Sequence, residues 1–457
     1  MLATRVGSPG PWPWKSAIVV AALAAAVAPR ARPVQPPQPP PATWVDLHVK
    51  LRVHDAPGPN LASVANGRRR PLFTHLPPGA HDDRARWLDV VVPVRAPDDV
   101  DRVIAAVAAD PAVELAFRAP EITLAGDVGQ RALRDDPDRC PITTPSFESH
   151  QGYLGPAPQG IDAVAAWRRG VRGQGVWFAD IEGGWNAQHE DLPGDRIRQV
   201  GGAVYDEPSW RAHGTAVLGE VVGRDNAKGI VGIAPDVDRV FTSSIFESSV
   251  ADAIDAAAAQ LRAGDVLLIE LQGQGPRGRY VAVELWRDVF DAIQAATRRG
   301  VIVVEAAGNG GEDLDHRIYQ GAFDRRTRDS GAILVGAGGP PRSGFVDRER
   351  LAFSNYGSRV DVQGWGRKVA TLDYGDLQAC AGADRHYTGE FSGTSSASPI
   401  VAGAAVLLES IARSRGRVLA PDEVRALLRR TGTPQAGNTR QAIGPRPDLG
   451  RAVVELR

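Results

Sequence analysis

Asp180, His213 and Ser395 have the types and settings that acyl transfer requires. Asp180 ends the apolar run GVWFAD, His213 opens HGTAVLGEVVG, and Ser395 lies in SGTSSASPIVAGAAVLL, directly before a strong helical run. Ser395 can attack a carbonyl if His213 takes its proton, while Asp180 holds the imidazole in the required tautomer and stabilises its cation. A serine at a helix start also brings its backbone N–H to the developing anion, where the helix end favours negative charge. Gly393 lets the backbone come close to a substrate, and Ala397 keeps the first turn small. Thr394, Ser395 and Ser396 are equally ordinary helix-capping types, and the two roles are compatible.

These groups need a frame, and the sequence between residues 160 and 457 supplies one. GVWFAD, VDRVFTSSI, GDVLLIEL, GVIVVEAAG and GAILVGAG are short apolar runs of the kind buried in a parallel sheet. VADAIDAAAAQLRAG and the stretch 280–299 read as covering helices, and short Gly-containing joins favour β-α crossovers. The pattern predicts an α/β domain with a mostly parallel central sheet. Upstream, residues 43–123 form a smaller α+β pattern: WVDLHVKLRV and WLDVVVPV as strands, DDVDRVIAAVAAD as a capped helix, and VELAFRAPEITL as a returning strand. Residues 124–159 are polar and turn-rich, as expected of a connection or processing region.

The first 42 residues point outward from the cell. Arg5 and Lys15 precede an apolar run from Ser16 to Ala28 that is short for a membrane span of about 20 residues and suits a secretory signal over 1–28. Residues 29–42 read as a proline-rich linker. The expected destination is extracellular or periplasmic, with no stable membrane insertion after signal cleavage. Lys plus Arg at 53 against Asp plus Glu at 54 leaves a net charge of -1, which excludes a global field recruiting nucleic acid. Two cysteines, Cys140 and Cys380, allow at most one bridge, expected to tether the start of the large domain beside the loop before Ser395; free thiols or loss of Cys140 in processing are the alternatives.

The ordered Asp, His and Ser contexts, above all HGT and GTSSASP, resemble the subtilisin-like serine peptidases, or subtilases, from about Gly160 to Val454. The resemblance implies a three-layer subtilisin-like domain, peptide-bond hydrolysis through an acyl-enzyme, and no catalytic cofactor. It implies that Asn309 in AAGNG is the oxyanion donor alongside the Ser395 N–H, and that Leu271, Gln272, Gly273, Ala306, Ala307 and Gly308 line a cleft for an extended polypeptide. It makes residues 43–123 an inhibitory propeptide of an autoinhibited precursor, cut between about Thr123 and Pro158. It also implies a structural calcium ion held by the side chains of Asp191 and Asn226 and the carbonyls of Arg224, Lys228 and Ile230, against the plain alternative of Asx turns.

Two motifs depart from the family pattern. The usual Asp-Ser/Thr-Gly reads Asp180-Ile181-Glu182, and HGTH reads His213-Gly214-Thr215-Ala216. Glu182, Glu270 and Glu305 lie beside apolar strands, where an unpaired carboxylate is costly and its pKa rises. A shared proton, a basic partner or partial exposure would each relieve that cost, and none of the three is assigned proton transfer. A peptide-binding relative that captures an extended segment without cutting it is the competing reading.

Overall fold

The computed structural model describes residues 43–53, 68–76, 82–94, 96, 98–126, 140–380 and 382–456. The expected signal and proline-rich linker lie outside them, as do residues 127–139 of the expected connection.

Alternation organises the N-terminal third. Strands β1 (Thr43–Leu51), β2 (Arg68–Pro71) and β3 (Trp87–Val94), helix α1 (Asp99–Ala108) and strand β4 (Val113–Arg118) form an antiparallel sheet in the order β2-β3-β1-β4 with one covering helix. Val45, Leu47, Val49 and Leu51 alternate along β1 into a core shared with Val90, Val92 and Val107. The intervening His48 and Lys50 point to the opposite face. The next strand, β5 (Ile122–Leu124), leaves this sheet and pairs with the larger unit.

The larger unit continues with α2 (Ala163–Trp167), β6 (Trp177–Glu182), β7 (Ile197–Gly201), α3 (Pro208–Val222), β8 (Arg239–Ser244), α4 (Val250–Ala258) and β9 (Val266–Ile269). Then follow β10 (Leu271–Gln274), β11 (Tyr280–Ala282), α5 (Arg287–Arg298), β12 (Ile302–Ala306), β13 (Ile333–Gly338) and β14 (Val362–Trp365). A hairpin of β15 (Val369–Leu372) and β16 (Tyr387–Phe391) precedes α6 (Thr394–Ser414), α7 (Pro421–Thr431) and α8 (Leu449–Glu455). Seven strands make one parallel sheet, in the order β14-β13-β12-β9-β6-β8-β7.

A parallel sheet must be covered on both faces, and here the strand alternation sorts two cores. Phe178, Val240, Leu268, Val304 and Val335 share a core with residues of α3 and α6. Ala179, Ile181, Leu267, Ile269 and Val303 share the other with α4 and α5. The result is the expected three-layer α/β arrangement. Helix α6 is long and apolar enough to cross a membrane, but its apolar length is buried inside the protein as the central helix of the first core.

The expected boundary at residue 160 is displaced. Tyr153 and Leu154 already belong to the first core, Tyr153 Oη donates to the Ala370 carbonyl at 2.9 Å, and Gln151 Nε2 donates to the Val231 carbonyl at 2.8 Å. A turn-rich stretch can still bury an aromatic ring when its hydroxyl finds a partner. Cys140 and Cys380 form a disulfide with Cα atoms 5.5 Å apart.

The N-terminal unit sits on α4 and α5. Asp252 and Asp255 on α4, and Asp288 and Asp291 on α5, are spaced i,i+3 and so share a helical face. Lys50 Nζ lies 2.8 Å from Asp291, Trp87 Nε1 donates to the same carboxylate at 3.1 Å, and the Thr74 N–H donates to Asp252 at 2.7 Å. His48 Nδ1 is 2.7 Å from Asp288, and Arg84 pairs with Asp255. Leu72, Phe73 and Trp87 join the core beneath these pairs.

Candidate active site

His213 stands within α3, fully enclosed, with its ring edge-on to Phe391 at 5.4 Å. Its Nδ1 is 2.6 Å from Oε1 of Glu182. Asp180, expected in that role, instead accepts the indole N–H of Trp185 at 2.7 Å. The correction follows from strand geometry. Phe178, Asp180 and Glu182 recur with period two along β6, so both acids face α3 and α6, but Glu182 lies one repeat nearer the C-terminal sheet edge. The sequence carried a signal for this: Glu182-Gly183-Gly184 preserves an acid-x-Gly register that Asp180-Ile181-Glu182 breaks. With the proton on Nδ1, His213 donates to Glu182 and leaves Nε2 as the acceptor that a general base needs. Burial holds the imidazole neutral, down to about 3, and lifts the Glu182 carboxyl well above its usual range. Burial does the same to Asp180, with the nearby Glu182 charge adding to it.

Ser395 is the second residue of α6. Its backbone N–H donates to the Ala125 carbonyl at 3.2 Å, and the same oxygen accepts the side-chain amide of Asn309. The orientation of Asn309 is fixed by its neighbours. Its Oδ1 accepts from the Thr394 N–H at 2.9 Å and lies 3.0 Å from the Thr394 hydroxyl, which leaves Nδ2 to face Ala125. Thr394, considered from sequence only as a cap, is thus a positioning residue. Gly393 has φ 116°, a region open to glycine, and a Cβ there would run into the Ala125 carbonyl. Ser395 Oγ and His213 Nε2 are both buried without a well-formed hydrogen bond.

The residues expected to line the cleft divide. Leu271, Gln272 and Gly273 on β10 pair antiparallel with Leu124, Thr123 and Ile122, and Gln272 Nε2 donates to the Leu124 carbonyl at 2.6 Å. Ala306, Ala307 and Gly308 lie further back, with Ala307 N–H bonded to Val335, Gly308 N–H to Thr394, and Ala307 packed in a cluster with Val281 of β11. The three unusual glutamates also part company. Glu270 neighbours Glu182, and burial lifts its pKa, with the Ser398 and Ser395 hydroxyls opposing the rise. Glu305 projects from the other face of β12 and accepts the Glu284 N–H at 2.9 Å, beside the buried Arg359–Glu284 pair.

At the expected metal position, Asp191 and Asn226 meet. Asn226 Nδ2 donates to Asp191 Oδ1 at 2.8 Å, and the Ile230 N–H donates to Oδ2 at 2.9 Å. Lys228 reaches Glu190 at 2.8 Å, and Arg224 reaches the Leu192 carbonyl at 2.9 Å. Burial raises Asp191 to about 7. As arranged, the set offers one carboxylate with both oxygens engaged, and an oxygen shell would require Asn226 to turn its carbonyl inward.

The sequence matches the model of the subtilase peptidase family over residues 181–444, more than half of the chain, beginning just after Asp180 and including Glu182. It is 29% identical over 281 residues to an alkaline protease of Alkalihalobacillus alcalophilus, covering 60% of this chain and 63% of that protein. It is 29% identical over 281 residues to subtilisin Savinase of Lederbergia lenta, covering 60% and 89%. The major intracellular serine protease of Bacillus subtilis (strain 168) is 29% identical over 296 residues, covering 60% and 82%. In fold it is similar to fervidolysin from Fervidobacterium pennivorans, described as a keratinolytic enzyme related to subtilisin, with TM-score 0.56 and 19% identity over 93% of this chain and 62% of that one. The helix that carries Ser395, the parallel sheet and the family match converge, and the chain belongs to the subtilase family.

Proposed function

We propose that the protein is a secreted serine endopeptidase made as an autoinhibited precursor, with Ser395 as nucleophile, His213 as base, Glu182 as the acid that orients it, and Asn309 with the Ser395 N–H as oxyanion donors. One observation carries the reading: the Asn309 amide and the Ser395 N–H converge on a single peptide carbonyl, that of Ala125. Two donors aimed at one carbonyl oxygen are what stabilises a tetrahedral intermediate. Ser395 Oγ adds to the carbonyl carbon and its proton passes to His213 Nε2, which then protonates the departing amine. Water, deprotonated by the same His213, hydrolyses the ester.

Residues 43–123 act in this reading as the inhibitory segment, supported by the pairing of β5 with β10 and by the aspartate contacts on α4 and α5. Export is supported by the apolar segment near residue 16 and by the Cys140–Cys380 bridge, which suits an oxidising compartment. Calcium belongs to the proposal only as a stabiliser at Asp191 and Asn226, supported by the contact of those two side chains.

The test is covalent labelling of processed protein with a serine-directed phosphonate. The adduct is expected on Ser395, and Ser395→Ala is expected to lose labelling and about 10⁶-fold in kcat, the size found for the nucleophile of subtilisin itself. An adduct on another residue, with activity retained in S395A, contradicts the reading.

A further inference from the structure

We propose that the chain cuts itself between Ala125 and Gly126, and that its site selects glycine on the leaving side of the cut because the catalytic base occupies the space a side chain would need. The inference rests on the peptidase reading above and specifies its substrate.

The approach to the bond is fixed residue by residue. Ile122, Thr123 and Leu124 are held in antiparallel register by β10, and the Ala125 N–H continues the pairing by donating to the Glu270 carbonyl at 3.2 Å. The Ala125 carbonyl enters the oxyanion donors, and Gly126 forms an antiparallel bridge to Gly393 immediately before the nucleophile's helix. The chain therefore runs as a strand to Leu124, bends at Ala125 and bridges to Gly393 at Gly126, which places the Ala125–Gly126 peptide bond at the site. In the cut, Ser395 Oγ forms the bond to the Ala125 carbonyl carbon and the Ala125–Gly126 C–N bond breaks. The serine proton travels through His213 Nε2 to the Gly126 nitrogen, and water releases the Ala125 carboxylate and restores Ser395.

The glycine preference comes from His213. A Cβ on residue 126 would lie 2.6 Å from His213 Cδ2 and 2.7 Å from Nε2, closer than real Cβ atoms approach a ring. An exposed imidazole could swing aside. This one is buried, held by Glu182 at 2.6 Å and flanked by Phe391, so moving it would break the hydrogen bond that sets its tautomer. A side chain at this position thus displaces either the scissile bond or the base. A displacement of about 1 Å can cost about 100-fold in rate.

The experiment follows purified full-length protein by intact mass and N-terminal sequencing. The expected products end at Ala125 and begin at Gly126, and Gly126→Val is expected to slow processing about 100-fold or more. Because that substitution could also disturb folding, mature wild-type enzyme is assayed on two quenched peptides, Ile-Thr-Leu-Ala-Gly and Ile-Thr-Leu-Ala-Val, extended identically beyond those residues. A kcat/KM about 100-fold lower for the valine peptide supports the proposal. A new N-terminus elsewhere in protein that still labels at Ser395, or equal cleavage of both peptides, overturns it while leaving the peptidase reading intact. Absence of labelling and of any cut overturns both.

Discussion

On the α3/α6 face of the parallel sheet, acids project from a strand into a closed core: Asp180 and Glu182 are fully buried, and each meets a side chain of its own unit, Trp185 or His213. On the α4/α5 face, acids project from helices toward a second folded unit: Asp252, Asp255, Asp288 and Asp291 meet Thr74, Arg84, His48 and Lys50. The first set is enclosed between the sheet and the helices α3 and α6. The second returns to water when that unit leaves, and a hydrated carboxylate is stable without a partner. Release of the N-terminal unit therefore returns the α4/α5 acids to water, but it also uncovers the apolar surface packed against Leu72, Phe73 and Trp87.

If the inner face carries the chemistry, its loss should be catalytic and not structural. Asn309→Ala is expected to lower kcat by about 10²–10³-fold, the range measured for the matching donor of subtilisin itself, with KM and thermal midpoint little changed. Steady-state kinetics and thermal unfolding on the processed protein check this. An unchanged kcat would remove Asn309 from the oxyanion site.

If the outer face is a docking surface, its loss should be regulatory. Lys50 is buried against Asp291, and breaking a buried pair can cost about 3–5 kcal/mol. Arg287, 2.9 Å from the same aspartate, stays behind to soften the loss. Lys50→Ala is expected to loosen the cut N-terminal unit by about 10- to 100-fold without changing kcat once activity is free. Size-exclusion chromatography of processed wild type and K50A reads the retained fraction, and equal retention would show that the pair does not hold the unit.

A smaller effect is expected from pH. Burial opposes the charged form of His48, but the Asp288 carboxylate beside it, with Asp89 and Asp46 nearby, raises its pKa above the ordinary 6.5. A pKa raised in the docked state means that the pair contributes fully below the free value and is lost as pH rises through the docked one. The N-terminal unit should therefore dissociate a few-fold faster at about pH 9 than at about pH 6, and His48→Gln should flatten that dependence. An opposite trend in wild type would contradict the sign.

The strands and helices were readable because buried parallel strands demand apolar runs and amphipathic helices demand periodic ones. HGT and GTSSASP located His213 and Ser395, and AAGNG located Asn309. The acid was misplaced because period two puts Asp180 and Glu182 on one face, and composition cannot say which lies at the height of the imidazole ring. The positioning by Thr394 and the path of β5 through the cleft depend on groups far apart in sequence, such as Asn309 with Thr394 and Leu124 with Gln272. No local pattern encodes such pairs. The helices α4 and α5 were readable as covering helices, but that their i,i+3 aspartates meet Thr74, Arg84, His48 and Lys50 was not.

The most direct test is a paired substitution, Glu182→Gln against Asp180→Asn, with kcat/KM measured on the processed enzymes. Both changes preserve shape and remove a carboxylate. If Glu182 orients the base, E182Q should lose about 10⁴-fold, as expected when the acid that sets the histidine tautomer is neutralised. D180N, which keeps an oxygen for the Trp185 indole, should stay within about tenfold of wild type. The reverse order, with D180N crippled and E182Q near wild type, would contradict the account.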